Sequence, residues 1–533
     1  MRRFSSYGPL DTELHYYAPR KALIADTYAR LLGENPAKGG HYITVWAPRQ
    51  TGKTWVMQQI QQHFSAHDEF EAAILTMQSA KSETTSEGVL DLLVTNLREW
   101  FNRDLPDISS WKALSTLFAK PYFPKPLILI LDEFDAMRED FMNAFANEFR
   151  NMYMKRLNEA GKRSAEKSCL LHGLALIGVR TVLGIENVSG SPFNIQRSVH
   201  IPNLSYEEVE GMFTWHARES GQKVDHAVID RVYYETNGQP GLSCWLGELL
   251  TEGFEEYRPP NDQPLSLNTF EHMYIAATDL LPNSNIANLL SKAKRSPYRE
   301  VVLEQFKTEN TVLFKYDDPQ VNYLYMNGII DREKMEGAGY QIKFACPFVQ
   351  KRLFNYFATE LFSYTGKLRE PFEDLSAILT PEGLNIKHLM QRFEIYLKQN
   401  RDWLLKDAPK RKDLRIYEAV YHFCLYRYLC DFLGTKHAKV YPEFPTGNGK
   451  IDLIITYYGA GYGVELKSYS TESEYYEALE QAVKYGKHIH LDEIWLISFV
   501  EYVDDATRQK YEVEYVDTKT GVKVMPLFVE TGR

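Results

Sequence analysis

Apolar positions follow two different rhythms along this chain. Towards the N-terminal end they come as short, nearly unbroken runs: YITVW at 42–46, PLILIL at 126–131 and LALIGV at 174–179. Runs of this length read as strands buried on both faces, the pattern of a parallel sheet covered by helices. Near the C-terminal end the rhythm becomes strict alternation. In GKIDLIITYYGAGYGVELKS (449–468), Ile451, Leu453 and Ile455 face one side and Asp452 and Ile454 the other. Val464 and Leu466 likewise face away from Glu465 and Lys467. That alternation predicts a β-hairpin turning around Tyr458, Gly459, Ala460 and Gly461. Helices are predicted on either side, over RIYEAVYHFCLYRYL (415–429) and EYYEALEQAVKYGKHI (474–489).

Between these regions, YRPPNDQPLSLN (257–268) reads as a linker or lid edge, rich in proline and polar residues. Residues 286–365 predict three helices and a hairpin, through SPYREVVLEQF, VNYLYMNGIIDRE, a turn at Glu336–Gly339 and YQIKFACPFVQKRLFNYF. A partly helical bridge over 366–410 follows, running into KDAPKRKDLR, a local basic run able to track phosphates or simply end a solvated helix.

The first apolar run leads into APRQTGKT (47–54), which fits the P-loop pattern with Ala47 in the first glycine position. Ala47, Pro48, Arg49, Gln50, Thr51, Gly52, Lys53 and Thr54 are expected to cradle phosphates with successive N–H groups and a new helix N-terminus. Gly52 permits close backbone approach, Lys53 reaches the β- and γ-phosphates, and the Thr54 hydroxyl ligates Mg²⁺. The second run ends in Asp132 and Glu133. A buried parallel strand would not tolerate either acid in its interior, so their place at its C-terminal end points to a ligand. Asp132 is expected to hold Mg²⁺ through water, and Glu133 to polarise an attacking water. ATP binding and hydrolysis follow as expectations.

The hairpin carries a second chemistry. Directly opposed residues of an antiparallel pair share a face, so Asp452 must pair with Glu465 or Lys467 for the three polar residues to converge. Pairing with Leu466 would turn the aspartate away. Two carboxylates can hold a hard divalent cation, Mg²⁺ or Mn²⁺, through oxygen ligands, and a lysine beside them can orient or help deprotonate water. That set suits metal-assisted phosphodiester cleavage.

Taken together, an acidic helix with Glu418, then Asp452, Glu465-Leu466-Lys467 and Gln481-x-x-x-Tyr485 resemble the PD-(D/E)XK nuclease superfamily, in its restriction-endonuclease-like branch. The resemblance implies that Asp452 and Glu465 bind the metal, Lys467 serves the water and Glu418 completes the acidic cluster. Gln481 and Tyr485 would brace the site or the nucleic acid backbone. Lys450 and Ile451 stand where the family's proline precedes the aspartate. Residues 15–255 resemble AAA-like ATPases of the signal-transducing and origin-recognition type, through the P-loop, LALIGVRTVLG (174–184), SPFNIQRSVHIPNLSYEEVEGMF (191–213) and TNGQPGLSCWLGELL (236–250). By that resemblance Arg180 senses the γ-phosphate and Gly238 through Pro240 open the last lid helix. Arg197 would face a neighbouring nucleotide or lie in solvent, and residues after the lid form a winged helix. Such ATPases assemble into nucleotide-dependent homo-oligomers.

Composition narrows the partners. The 533 residues carry a formal net charge of −10, so DNA or RNA must be met by local patches and metal sites, with no general basic face. Five cysteines without a C-x-x-C pair exclude a zinc ribbon and a disulfide framework. No apolar run approaches the length needed to span a bilayer, and a cytoplasmic location is expected. The expected architecture is an α/β multidomain chain. It comprises a P-loop ATPase core (1–202), a helical lid (203–257), a winged-helix-like domain (258–365), then linker helices and a restriction-endonuclease-like α/β domain (366–533). The expected function is an ATP-regulated, metal-dependent nuclease, with DNA favoured over RNA. The alternative is a nucleotide switch whose C-terminal part binds DNA or a partner without cutting.

Overall fold

The three apolar runs become the centre of a five-stranded, all-parallel sheet. Its strands are β1 (Tyr42–Trp46), β2 (Glu71–Thr76), β3 (Leu127–Asp132), β4 (Leu171–Gly178) and β5 (Arg197–His200), in the order β2-β3-β4-β1-β5. The computed structural model describes residues 1–178, 197–253, 262–306, 312–335, 339–369, 373–410, 416–434, 438–443, 452–468, 472–488 and 491–532. Every residue of β1, β3 and β4 is buried, because the sheet has a core on each face. Leu127, Leu129, Leu131, Leu174 and Leu176 pack on one side against the helices Ser86–Phe101 and Glu139–Asn158. Ile43, Val45, Ile128, Ile130, Ala175 and Ile177 pack on the other against Lys21–Leu32 and Lys53–Ser65. The third strand starts earlier than its sequence run suggested, at Leu171, and Arg180 lies outside the described residues.

The chain divides into two units, Met1–Ala277 with Asp317–Gly328, and Thr278–Tyr316 with Ile329–Arg533. Residues 258–365, expected as one winged-helix-like segment, are therefore shared between the two. In the first unit the sheet is followed by the helices Tyr206–Ser220, His226–Thr236 and Pro240–Thr251. Ser205 and Glu208 form a reciprocal capping box on the first of these. Pro240 sits in the first turn of the last, where its missing N–H costs nothing, and the Gln239 side chain caps Leu242 N. Leu267–Asp279 is a helix, so the expected linker is shorter than 257–268.

The second unit begins with the helices Ser284–Ala293 and Tyr298–Gln305. An antiparallel hairpin follows, β6 (Ile330–Lys334) with β7 (Tyr340–Phe344), then the helix Pro347–Leu361. A small pair, β8 (Leu379–Thr380) and β9 (Gly383–Leu384), precedes the helix Ile386–Leu404. That helix buries Ile386, Leu389, Met390, Phe393 and Leu397, a 3–4 residue stripe. The helix Glu418–Leu433 then leads into a mixed six-stranded sheet. Its strands are β10 (Ala438–Glu443), β11 (Asp452–Tyr457), β12 (Ala460–Ser468), β13 (Glu493–Val500), β14 (Tyr515–Val516) and β15 (Lys523–Glu530), ordered β10-β11-β12-β13-β15-β14. β10 and β12 each run antiparallel to β11, whereas β12, β13 and β15 run parallel. The helix Glu472–His488 makes the β12-to-β13 crossover, packing Tyr475, Ala478, Leu479, Ala482 and Tyr485 over Ile494, Leu496 and Val524.

Candidate functional site

In the first unit, β1 delivers the chain directly into the 47–54 loop. Gly52 turns it at φ 81°, where a side chain is disfavoured, and the helix Lys53–Ser65 starts at once. Lys53 Nζ donates to the carbonyls of Ala47 (2.8 Å) and Pro48 (2.6 Å). Burial pushes this ammonium down to about 8, against the pull of Asp132. Thr54 Oγ1 donates to Asp132 Oδ2 at 2.5 Å, which places a hydroxyl and a carboxylate side by side. That oxygen pair fits a hard cation held partly through water, as Mg²⁺ is. Asp132 Oδ1 accepts from the Glu133 amide at 2.8 Å, and Glu133 itself adopts φ 53° just past the strand. Its carboxylate accepts a hydrogen bond from Thr76 Oγ1 at 3.0 Å. Thr76 ends β2 directly opposite Asp132. Sequence reading missed Thr76, because only the strand order brings it beside the acid.

The helix Pro240–Thr251 meets the loop at its N-terminal end. Gly241 N donates to the Gln50 carbonyl at 2.9 Å, and Gln239 Nε2 donates to the Arg49 carbonyl at 3.0 Å. Gln50 holds φ 56°, and a Cβ on Gly241 would lie 2.6 Å from the Gln50 Cβ, so glycine is required for this approach. A cavity of about 300 Å³ opens beside the loop, bounded by Tyr17, Arg20, Trp55, Met212, Pro240 and Cys244. Its size and apolar walls suit the non-phosphate part of a nucleotide. The side chain of Arg197, like Arg180 as a whole, falls outside the described residues.

In the second unit the register expected for the hairpin is present. Asp452 lies opposite Glu465 and Leu453 opposite Val464, joined by the two-residue turn Tyr458–Gly459 at φ 46° and 87°. Position 452 therefore shares a face with Glu465 and Lys467, while Leu453, Ile455, Val464 and Leu466 are fully buried on the other. Glu465 and Lys467 are themselves buried, 3% and 8% exposed, and form an ion pair of 2.7 Å. Asp452 and Glu418 are described by their backbones alone. Tyr485 is buried and Gln481 half-buried on the crossover helix, which covers the same face. β10 adds a position that sequence reading missed. Glu443 pairs with Asp452, so 443, 452 and 465 stand in one row across three strands. Among the described residues, no group of three or more His, Cys, Asp or Glu is gathered closely enough to hold a metal.

These features define an α/β chain with an all-parallel five-stranded sheet, followed by a mixed six-stranded sheet carrying the hairpin with Glu465 and Lys467. No protein-family model and no curated protein matches the chain. Among solved structures it is similar to a Walker-type ATPase of Pyrococcus abyssi, at 14% identity and TM-score 0.43, over 66% of this chain and 99% of that one. It is similar to the Aeropyrum pernix ORC1 protein in complex with DNA, at 13% identity and TM-score 0.32, over 65% and 94%. The RuvB Holliday junction branch migration motor of Thermotoga maritima matches at 10% identity and TM-score 0.33, over 61% and 92%.

Proposed function

We propose that this protein is an ATP-regulated, metal-dependent nuclease that hydrolyses phosphodiester bonds, in DNA before RNA. The observation that carries the proposal is the hairpin register. It sets Asp452 opposite Glu465, with Lys467 two residues further along the same face. Mg²⁺, bound by Asp452 and Glu465 with Glu418 nearby, would supply positive charge for the scissile phosphate and acidify its water. Lys467, steadied by Glu465, orients that water, while Gln481 and Tyr485 brace the nucleic acid from the crossover helix. In the first unit, Lys53 exchanges the Ala47 and Pro48 carbonyls for nucleotide phosphates, and Thr54 with Asp132 takes the nucleotide's Mg²⁺. Glu133 polarises the hydrolytic water, with Arg180 as γ-phosphate sensor. Nucleotide-dependent assembly of identical chains in the cytoplasm belongs to the same proposal.

The test is degradation of plasmid, linear and single-stranded DNA, and of RNA, in Mg²⁺ or Mn²⁺, with ATP present and absent. Asp452→Ala and Lys467→Ala are expected to abolish cleavage and to leave ATP turnover intact; Lys53→Ala does the converse for ATP. Parental cleavage by Asp452→Ala would reject the nuclease site. Retention of DNA without cleavage by the parent would instead favour a nucleotide switch with a binding domain. Sizing the chain with and without a non-hydrolysable nucleotide tests assembly, and an unchanged monomer rejects it.

A further inference from the structure

The sheet face that carries Glu465 and Lys467 continues across β13 and β15, where it is apolar with one exception. β12, β13 and β15 run parallel, so residues in one register row share a face. The row through Glu465 continues as Leu496 and Pro526, and the row through Lys467 as Ser498 and Phe528. Ser498 is the one hydroxyl side chain in the strands EIWLISFV and KVMPLFVE. It is buried, at a strand position where valine would pack and would favour the extended backbone. The crossover helix Glu472–His488 covers this face, packing on Ile494, Leu496 and Val524 and bringing Tyr475 to 6.5 Å from Phe528. The Tyr475 hydroxyl is already engaged, donating to the Tyr511 carbonyl at 2.6 Å. Of the two register neighbours of Ser498, Phe528 is apolar and Lys467 is a donor.

Lys467 has a matching shortage. Its ammonium carries three donors, is buried, and has Glu465 as its ion-pair partner at 2.7 Å. Nζ has no hydrogen-bond partner of good geometry among the described residues. A carboxylate shared with a metal has less charge left for the lysine, and a buried ammonium with unmet donors is costly. A hydroxyl on the neighbouring strand adds an acceptor without adding charge.

We infer that Ser498 is a positioning residue for Lys467: its Oγ accepts a hydrogen bond from the ammonium and keeps it aimed at the water while Glu465 is taken up by the metal. This inference rests on the nuclease proposed for the hairpin. Ser498 is assigned to the lysine and not to the metal, because it stands in the Lys467 row on β13. The acidic positions 443, 452 and 465 occupy a different row, on β10, β11 and β12.

The experiment uses the full chain as parent, as Ser498→Ala, and as the shape-matched pair Ser498→Thr and Ser498→Val, which differ in a hydroxyl against a methyl. Ser498→Ala and Ser498→Val are each expected to lower kcat for Mn²⁺-dependent DNA cleavage at least about tenfold, the loss of one hydrogen bond to a charged group. Half-saturating Mn²⁺ and DNA concentrations should stay unchanged, and Ser498→Thr should keep most of the parental rate. Thermal unfolding in Mn²⁺ is then compared for parent, Ser498→Ala, Lys467→Met and both together. Ser498→Ala is expected to lower the unfolding temperature when Lys467 is present. In the Lys467→Met background the same change should be neutral or stabilising, so the cycle is non-additive. Parental kcat in Ser498→Ala, equal rates in Ser498→Thr and Ser498→Val, or additive unfolding shifts would overturn the inference. So would a raised Mn²⁺ requirement, which would make the hydroxyl a metal ligand. Should the parent cleave nothing, the nuclease reading fails by itself, and the unfolding cycle still decides whether Ser498 holds Lys467.

Discussion

The two-residue turn at Tyr458–Gly459 determines which side chains can meet at the second site, and its strength can be measured. Tyr457 pairs with Ala460, so the turn leaves no slack; moving the register by one residue would send position 452 to the apolar face. Gly459 sits at φ 87°, and a Cβ added there would meet no atom within 4 Å. Substitution therefore acts through backbone strain alone, with no steric contribution. The left-handed region costs an ordinary L-residue about 1 kcal/mol and a β-branched one about 2 kcal/mol, with asparagine near ~0.5 kcal/mol. Opening of the β11–β12 ladder should rise accordingly, roughly fivefold for Gly459→Ala and roughly thirtyfold for Gly459→Val. Hydrogen exchange of the 452–457 and 460–466 amides, read by mass spectrometry, measures this directly. Cleavage should fall in the same order, because each open or slipped state removes position 452 from Glu465. If Gly459→Val exchanges and cleaves as the parent does, the turn does not set the register and the site must be held by β10 and β13 instead.

Other expectations are equally direct. Thr76→Val removes the hydrogen bond to Glu133 and should raise basal ATP turnover with nucleotide affinity changed by less than about threefold; an unchanged turnover rate would show that this contact does not restrain the glutamate. Gly238 holds φ 66°, and a Cβ there would lie 2.0 Å from the Leu204 carbonyl, so Gly238→Ala should cost at least about 2 kcal/mol and weaken nucleotide binding, as calorimetry would report. His172 is fully buried, accepting from Ser164 Oγ at 2.7 Å and donating to the Leu32 carbonyl at 3.0 Å, and burial lowers it to about 4. Its folded value lies below the unfolded 6.5, so its contribution is present above pH 6.5 and lost as pH falls towards 4. Denaturant unfolding of the parent should lose on the order of 3 kcal/mol across that window, and His172→Gln should flatten the slope.

Local sequence determined a good deal about this protein. Unbroken apolar runs specify strands covered on both faces, and strict alternation specifies a half-polar hairpin, because side-chain period and burial are tied by backbone geometry. Acids at the end of β3 and the glycine that turns the chain after β1 were legible for the same reason: a buried strand interior rejects charge, and a left-handed turn at φ 81° favours glycine. Even the permitted registers of Asp452 followed from parity. What the tertiary structure alone decided are the partnerships across long separations. Thr76 meets Glu133 only because β2 lies beside β3, and Gln50 meets Gly241 only because the helix Pro240–Thr251 docks on the loop. Glu443 joins the row of 452 and 465 because β10 pairs with β11, and His422 meets Phe499 because its helix packs on β13. None of these pairs has a local signal. Each is fixed by strand order and helix docking, which arise from the whole core burying its apolar surface at once, and no window of neighbouring residues encodes that sum.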